Sequence, residues 1–301
     1  MQKILVIGAS GQLSRSLVGL APNNLQTITA AGRPDLDLLD LASVERVLSD
    51  NAPDVVVNAA AYTAVDTAET DAAQAFAVNE TGPGQLAEMC EKKDIPLIHI
   101  STDYVYDGEK SGVYVEDDPV APLGIYGRSK LAGELLVSQN CKKHIILRTA
   151  WVHSPYGQNF VKTMLRLAGS RDELSVVHDQ IGTPTYAPHL AECIRSIAGT
   201  LDDADGPDNP WGVYHAAGIG GGISWYNLAV KIFEWSEEMS GPTALVHPIT
   251  TDQYPTPARR PGNSRLECAK LNKVFDLALP DWKVGGRACV AELISNGEFK
   301  S

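Results

Sequence analysis

A tyrosine and a lysine four residues apart, Tyr126 and Lys130, are the residues of this chain best placed to carry out acid–base chemistry. They open a helical pattern, and side chains at positions i and i+4 share one face of a helix. A neighbouring ammonium lowers the pKa of a phenol, which makes it a usable proton donor. A second pair with this spacing, Tyr106 and Lys110, lies in a turn-rich segment, so its side chains need not share a face.

Two hydroxyl residues, Ser101 and Thr102, end an apolar segment that the sequence predicts to be a strand. Ligands of doubly wound sheets bind beyond the carboxyl ends of the strands, so a hydroxyl here would face the same crevice as Tyr126. Taken alone, such a hydroxyl is equally well explained as a strand-end group bonded to the backbone. Together with Tyr126 and Lys130, it predicts a site that reduces a carbonyl group.

A turn of small residues follows the first predicted strand and reads Gly8-Ala9-Ser10-Gly11-Gln12-Leu13-Ser14. Glycines at a strand-to-helix junction let backbone N–H groups approach a pyrophosphate, and the positive end of the helix attracts its charge. The Gly-x-x-Gly-x-x-Ser spacing predicts a bound nicotinamide dinucleotide. Ser14 replaces a third glycine whose usual role is close helix–strand packing.

The end of the second predicted strand bears on the choice between the two nicotinamide cofactors. Arg33 follows this strand, and an arginine there can accept the 2′-phosphate of NADP(H). Asp35 or Asp37 would instead select the free ribose hydroxyls of NAD(H) if the loop folds back. The sequence leans toward NADP(H) and leaves NAD(H) open.

Short apolar runs alternate with longer helical patterns through the first half of the chain. Strands that are apolar on both faces and separated by helices predict a parallel sheet covered on both sides. With right-handed crossovers, the fold class is α/β, a doubly wound, Rossmann-like parallel sheet. The predicted strands are 3–8, 27–31, 54–60, 96–101 and 144–149, and the predicted helices lie in 9–20, 43–48, 72–92 and 126–138.

The second half is less regular, and late prolines predict a smaller, irregular α/β substrate lobe. We expect a dinucleotide-binding domain at 1–150 that also receives parts of 174–218. The remainder, 151–301, would be mainly a substrate-binding lobe, with the chain crossing between lobes. Helices are predicted at 160–167, 188–198 and 225–235, strands at 174–177, 213–216 and 244–248, and a surface loop at 201–210.

Composition narrows the classes of partner. The 301 residues carry a formal charge of −12, which disfavours binding to nucleic acid or to a membrane surface. No apolar segment approaches the length of a membrane span. Five cysteines, none in a Cys-x-x-Cys pair, predict structural thiols in the cytoplasm and no zinc or iron–sulfur site.

The sequence resembles the extended short-chain dehydrogenases/reductases and, within them, the family of dTDP-4-dehydrorhamnose reductases. The resemblance covers nearly the whole chain. The stretches Asp-Gln-x-Gly-x-Pro-Thr (179–185) and Arg-Pro-x-Asn-Ser (260–264) are the more particular to this family. Blocks shared more widely among nucleotide-sugar enzymes are 57–66, 77–83 and 101–108, and further matches lie at 122–130 and 148–152.

The resemblance implies that a nicotinamide hydride reduces the 4-keto group of a dTDP-linked 6-deoxy sugar. Tyr126 would protonate the nascent alkoxide, Lys130 would tune Tyr126 and bind the cofactor ribose, and Thr102 would be the catalytic hydroxyl. Residues matching substrate contacts are Thr102, Asp103, Trp151, Arg260 and Asn263. Residues matching cofactor contacts, besides Tyr126 and Lys130, are Gly8, Gly11, Gln12, Leu13, Arg33, Asp37, Leu38, Ala60, Ala61 and Tyr62.

Three points stay open at this level. Some members of the family hold Mg²⁺ at a dimer interface; we assign no metal ligand, although Glu292 is a candidate, and a homodimer remains open. Related 4-epimerases and 4,6-dehydratases share the Tyr–Lys pair, but a dehydratase needs Asp-Glu after the threonine, where this chain has Asp103 and Tyr104. The third reading is a non-catalytic, NADP-binding subunit like the regulatory subunit of methionine adenosyltransferase.

Overall fold

Six parallel strands form the centre of the molecule, for which a computed structural model describes residues 1–201 and 209–299. The strands lie in the order β10-β5-β4-β3-β1-β2, and every pairing between neighbours is parallel. This arrangement confirms the predicted fold class. The strands are β1 (Gln2–Ile7), β2 (Gln26–Ala31), β3 (Val55–Asn58), β4 (Leu97–Thr102), β5 (His144–Thr149) and β10 (Gly212–His215).

Helices cover both faces of this sheet because its central strands are apolar on both sides. One face packs against α1 (Gln12–Val18) and α8 (Ala187–Gly199) through side chains such as Leu17 and Ile194. The opposite face packs against three helices through side chains such as Leu48, Leu86 and Val137. These helices are α2 (Leu41–Asn51), α5 (Gly82–Lys92) and α6 (Ile125–Asn140).

The helix predicted over 72–92 is interrupted. It consists of α4 (Ala72–Phe76), a π-helical turn (Ala77–Thr81) and then α5; the short helix α3 (Val65–Ala68) precedes it. Pro83 has no backbone N–H to donate to the carbonyl of Asn79, so the regular ladder cannot continue there. That carbonyl lies so close to Gly133 of α6 that any side chain at position 133 would collide with it.

The second half builds a separate apolar core from three helices and a two-stranded parallel sheet. The predicted helices 160–167, 188–198 and 225–235 are all present, whereas α10 (Ala269–Phe275) and α11 (Trp282–Ser295) were not predicted. The core contains Leu165, Phe233 and Val290. Its elements are α7 (Phe160–Ala168), α9 (Trp225–Glu238), α11, β7 (Glu173–Val177) and β12 (Leu245–Ile249).

The chain passes between the two halves several times. After β7 it returns to the central sheet with α8 and β10, and β10 pairs with β5 at the edge. Residues 202–208 of the predicted loop 201–210 lie outside the described residues. No helix within the described residues is long and apolar enough to cross a membrane. Two-residue strands complete the second half: β6 (Val152–His153), β8 (Ile181–Gly182), β9 (Thr185–Tyr186), β11 (Ile223–Ser224) and β13 (Asn263–Ser264).

Candidate active site

A cleft of about 480 Å³ opens at the carboxyl ends of β1, β2 and β3. Most of the residues predicted to bind a cofactor line this cleft, and they come from three separate parts of the chain. Small side chains dominate the lining, which leaves the backbone accessible. The predicted residues that line it are Gly8, Gly11, Arg33, Asp37, Leu38, Ala60, Ala61 and Tyr62.

The glycine turn is shaped by close contact with β3. Gly8 has φ +104°, and a Cβ added there would lie 3.0 Å from the backbone nitrogen of Ala60. A side chain at this position would therefore be strained and would push into the cleft floor. The turn forms a backbone-lined cradle of the shape that a dinucleotide pyrophosphate requires.

Four predicted cofactor residues do not line the cleft: Gln12 and Leu13, and also Tyr126 and Lys130. The Gln12 side-chain oxygen accepts hydrogen bonds from Ser154 Oγ and Asn159 Nδ2, both at 2.9 Å. Leu13 is buried in the core between the sheet and α8. In this structure the side chain of Gln12 joins the glycine turn to the second half, and Leu13 packs α1 against the sheet.

The rim of the cleft carries Arg33 and Asp37 of the three candidates for cofactor selection, whereas Asp35 does not line it. Arg33 Nε lies 3.0 Å from Asp37 Oδ2, and the two side chains are 66% and 38% exposed. The hydrogen bond from the Leu39 backbone lowers the pKa of Asp37, with Arg33 adding to the effect against a desolvation that raises it. The site thus presents an anion and a cation side by side at the end of β2.

Asn79, which the sequence analysis did not identify, ties the cleft floor to α6. Its Oδ1 accepts from the backbone nitrogen of Tyr62 at 2.8 Å, and its Nδ2 donates to the Tyr62 carbonyl at 3.0 Å. Nδ2 also donates to Ser129 Oγ at 3.0 Å. The only sequence signal was a polar residue inside an apolar helical pattern just before Gly82-Pro83.

Tyr126 and Thr102 meet at the carboxyl end of β4. Thr102 ends β4, Tyr126 lies in the first turn of α6, and the two side chains are hydrogen-bonded. Burial raises the pKa of Tyr126, and the bond with Thr102 opposes this shift. The expected lowering of this pKa by Lys130 is wrong for the structure, because desolvation raises the pKa and Lys130 is not among the groups that shift it. Tyr126 is consequently held in its protonated, donor form.

Lys130 lies one turn further along α6 and is almost fully buried. Its Nζ donates to the carbonyl of Ile100 at 2.7 Å and lies 3.4 Å from His99 Nε2. Desolvation lowers the pKa of Lys130 to about 8, although the carboxylate of Glu134 opposes the change. The amine therefore titrates close to physiological pH.

Asp103 is a buried carboxyl next to the Thr102 hydroxyl. Burial raises its pKa to about 6, against hydrogen bonds from Ser264 and Thr102 that lower it. Thr102 Oγ1 donates to Asp103 Oδ1 at 3.0 Å. The strand-end hydroxyl is therefore held between a phenol and a carboxyl.

Two further predicted substrate residues, Trp151 and Arg260, already have partners within the protein. Trp151 stacks on Trp225 with ring centroids 3.3 Å apart, and Arg260 donates to Asp66 at 2.6 Å and to the Tyr104 hydroxyl at 3.1 Å. The Tyr104 ring meets that of Tyr126 edge-on at 5.3 Å, which places Arg260 near the reacting group.

Asn263 does not present its amide to the cleft. Its Nδ2 donates to the carbonyls of Lys110 and Gly112 at 2.6 and 2.7 Å. Its Oδ1 accepts from Arg265 Nε at 2.9 Å. The side chain is occupied in holding the 110–112 loop.

A buried ion pair between α6 and β5 was also not predicted from the sequence. Arg148 donates to Glu134 through Nε at 3.0 Å and through Nη2 at 2.6 Å. Ser101 Oγ donates to the same carboxylate, and Arg148 Nη1 donates to the Tyr106 hydroxyl at 2.7 Å. The i+4 spacing of Lys130 and Glu134 was the available signal, but the partner on β5 is distant in sequence.

The residues of the described ranges give no support for the Mg²⁺ ion. They contain no group of three or more His, Cys, Asp or Glu side chains arranged to hold a metal. Glu292, the candidate from sequence, accepts a hydrogen bond from Tyr186. Burial raises the pKa of Tyr186, and Glu292 adds to this shift.

Comparison with known proteins gives a consistent family. The family model described as the RmlD substrate binding domain matches residues 1–295. The dTDP-4-dehydrorhamnose reductase of Sinorhizobium fredii is 44% identical over 296 residues, covering 98% of this chain and 99% of the relative. The enzyme of that name from Escherichia coli is 40% identical over 298 residues, covering 97% and 98%.

Comparison with solved structures agrees with this family. The Bacillus anthracis dTDP-4-dehydrorhamnose reductase, solved in complex with NADP, is 34% identical and superimposes with a TM-score of 0.89, covering 97% of this chain and 99% of that one. A dTDP-glucose 4,6-dehydratase from the same organism has a TM-score of 0.81 at 18% identity, covering 99% and 98%. At that identity the likeness shows a shared fold alone.

Proposed function

The chain belongs to the family of dTDP-4-dehydrorhamnose reductases, and from this membership we propose that it reduces the 4-keto group of dTDP-4-dehydro-6-deoxy-L-mannose to give dTDP-L-rhamnose. The observation that carries the proposal is the hydrogen-bonded pair Tyr126 and Thr102 at the end of β4, with Lys130 one helical turn away. A phenol, a hydroxyl and an amine beside a dinucleotide-shaped cleft form the machinery of carbonyl reduction.

The residues around the cleft fit a nicotinamide dinucleotide. A side chain at Gly8 would press into Ala60 of the cleft floor, so the turn needs glycine there, and small residues line much of the cleft. When bound, the reduced cofactor supplies the hydride that adds to C4 of the sugar. We assign its binding to the residues that line the cleft and to Lys130, which would hold the nicotinamide ribose.

Tyr126 supplies the proton that balances the hydride. As the C4 carbonyl becomes an alcohol, the phenolic proton moves to O4, and the Thr102 hydroxyl bonds the same oxygen. Because burial raises the pKa of Tyr126, the phenol keeps its proton until negative charge develops on O4. The ammonium of Lys130 stabilises the phenolate that remains.

Substrate binding is proposed for the residues around this pair. Asp103 bonds sugar hydroxyls beside Thr102, and the indole of Trp151 packs on the sugar nucleotide. The guanidinium of Arg260 neutralises the diphosphate, since guanidinium groups bind phosphate oxygens in a bidentate manner. Asn263 contributes indirectly, through the loop that its amide holds.

We propose a preference for NADP(H) over NAD(H). Arg33 is the exposed cation at the rim, and its ion pair engages Asp37, the carboxylate that would otherwise favour NAD(H). In Arg33→Ala, the KM for NADPH should rise about tenfold, the loss of one charge-assisted hydrogen bond, while the KM for NADH changes little. Arg171→Ala, an exposed arginine outside the cleft lining, is the matched control. Equal changes for both cofactors would contradict the preference.

The test of the reaction is loss of NADPH and NADH absorbance with dTDP-4-keto-6-deoxy-L-sugar and with its C3 and C5 epimers. NADPH should be oxidised in the presence of dTDP-4-dehydro-6-deoxy-L-mannose. Tyr126→Phe should lower kcat by a factor of about 100 or more while cofactor binding persists. Tightly held NAD with no net oxidation would instead indicate an epimerase. Cofactor binding without turnover of any sugar would favour a regulatory subunit.

A cytoplasmic location is proposed from the cysteines, all five of which are free and buried. The homodimer stays a prediction. Sedimentation of the purified protein, with and without NADPH, measures its state of assembly.

A further inference from the structure

Three buried polar side chains form a row beneath the cleft: Asn58 at the end of β3, His99 in β4 and Lys130 in α6. Their exposed fractions are 0%, 0% and 2%. Asn58 Nδ2 lies 3.1 Å from His99 Nδ1, and His99 Nε2 lies 3.4 Å from Lys130 Nζ. Buried polar groups need defined donors and acceptors, so the direction of each contact can be worked out.

The direction is set at one end by the backbone of the cleft floor. The backbone nitrogen of Ala60 lies 3.2 Å from Asn58 Oδ1 and donates to it. A backbone N–H can only donate, so the amide oxygen of Asn58 faces Ala60 and its amino group faces His99. His99 Nδ1 is therefore an acceptor and carries no proton.

The proton of His99 must then lie on the other nitrogen. Burial lowers the pKa of His99 well below its ordinary value, and the nearby charge of Lys130 acts in the same direction, so the ring is neutral. A neutral imidazole has one N–H, which is placed on Nε2 when Nδ1 accepts. His99 consequently presents a hydrogen to Lys130.

A protonated lysine has no lone pair to receive that hydrogen. The separation of 3.4 Å between His99 Nε2 and Lys130 Nζ is longer than an ordinary hydrogen bond and fits two donors facing one another. One N–H of the ammonium donates to the carbonyl of Ile100 at 2.7 Å. The others gain nothing by turning toward His99, whereas the cofactor ribose would offer acceptors in the cleft.

We propose that Asn58 fixes His99 as its Nε2–H tautomer, and that His99 thereby keeps the N–H groups of Lys130 that do not bond the Ile100 carbonyl directed away from the imidazole and toward the cofactor. His99 is a positioning residue in this scheme, acting through Lys130. The inference deepens the proposed function and rests on it for the binding of the cofactor by Lys130. It links the Ala60 backbone, which lines the cofactor cleft, to the orientation of the amine.

The first test is the tautomer itself, measured on the full chain with NADPH by long-range ¹H–¹⁵N correlation of the histidine rings. His99→Gln identifies the signal. We expect His99 to be neutral with its proton on Nε2. A proton on Nδ1, or on both nitrogens, would overturn the proposal.

Asn58→Asp reverses the direction of the hydrogen bonds along this row with almost no change in the shape of the side chain. Its carboxylate accepts from both Ala60 and His99, which moves the ring proton to Nδ1 and lets Nε2 accept from Lys130. The KM for NADPH should rise about tenfold as the ammonium turns to His99, the usual cost of one charge-assisted bond. Asn79→Asp, a second buried asparagine of the floor, adds a carboxylate without contacting His99 and should leave its tautomer unchanged.

Two substitutions of His99 distinguish a role in positioning Lys130 from a role in packing alone. In His99→Gln the amide oxygen can accept from Asn58 and the amide nitrogen can donate toward Lys130, so the KM for NADPH should stay within about threefold of the original. His99→Leu has no donor and should raise it about tenfold. Equal values for the two variants would refute the positioning role.

The tautomer and the Kd for NADPH, which should change in each variant as the KM does, need no sugar substrate. If the protein fails to oxidise NADPH with the keto-sugar, the proposed function fails while these two measurements still decide the inference. If the sugar is reduced but Asn58→Asp alters neither the tautomer nor the KM for NADPH, the inference alone is wrong. Should Asn58→Asp not fold, the tautomer of the unaltered protein and the His99 pair decide it.

Discussion

Two arginine–carboxylate pairs flank the cleft, and they differ chiefly in their access to water. Arg148 and Glu134 are joined at 2.6 Å behind α6 with their side chains 6% and 4% exposed. Arg33 and Asp37 are joined at 3.0 Å on the rim with 66% and 38% exposed. The buried pair shares its groups with Ser101 and Tyr106, whereas the rim pair keeps charge available to a ligand. The same chemistry therefore fixes a helix in one place and offers a binding group in the other.

The largest expected effect is at the buried pair. Glu134→Gln leaves the guanidinium of Arg148 buried without its carboxylate and should lower the free energy of unfolding by about 3–5 kcal/mol. Urea denaturation with an unchanged slope measures this loss. Adding Arg148→Met removes the orphaned charge and should restore more than half of it. A loss below about 1 kcal/mol would mean that the pair does not hold α6.

Asp103 tests the same idea for a buried carboxylate that has no arginine partner. Its pKa is about 6 in the folded protein against 3.8 for an ordinary aspartate, so ionisation opposes folding. The cost is absent well below pH 3.8, grows as pH rises from about 4 to about 6 and is nearly complete by about pH 7. Asp103→Asn should therefore raise the free energy of unfolding by about 2 kcal/mol at pH 8 and leave it unchanged well below pH 3.8. Destabilisation at pH 8 would show that the charge is compensated in the fold.

Arg260 and Asp66 form a pair of intermediate exposure, 21% and 41%. Asp66→Asn should lower the free energy of unfolding by about 1 kcal/mol, between the buried and the rim pair. Ser49→Ala, a matched removal of one exposed hydrogen bond, controls for a surface substitution. A cost as large as that of Glu134→Gln would show that exposure does not rank these pairs.

The smallest effect is expected at the rim. Arg33→Ala should alter the free energy of unfolding by less than about 0.5 kcal/mol, because exposed ion pairs are screened by water. Thermal unfolding measured without cofactor checks this value. A larger loss would mean that Arg33 holds the loop after β2, and its effect on the KM for NADPH would then have a structural component.

The sequence predicted the sheet well because its strands are short, apolar on both faces and bounded by helices. The placement of Tyr126, Lys130 and Thr102 followed from local spacing and from the rule that parallel strands end at one edge. The π-helical turn at 77–81 was missed, since the 72–92 pattern remains helical and the break depends on Pro83 and on the approach of Gly133. The contact between the Asn79 carbonyl and Gly133 joins residues that are distant in the sequence.

The reversed direction of the pKa shift at Tyr126 has a similar origin. Spacing along α6 placed a lysine near the phenol, but the burial that raises the pKa of Tyr126 comes from tertiary packing. Asn263 shows the same limit, because the family resemblance implied a ligand contact while the fold uses its amide to hold residues 110 and 112. Composition and local pattern identify the groups, and only the packed fold decides which of them are already occupied.

The return of β10 to the sheet has a consequence for any shortened form of the chain. A fragment of residues 1–150 would end just after β5 and would lack the strand that covers its outer edge. The unpaired N–H and C=O groups of β5, flanked by buried side chains such as Ile145 and Leu147, would then be open to strand addition from another molecule. Such a fragment should self-associate rather than remain a monomer.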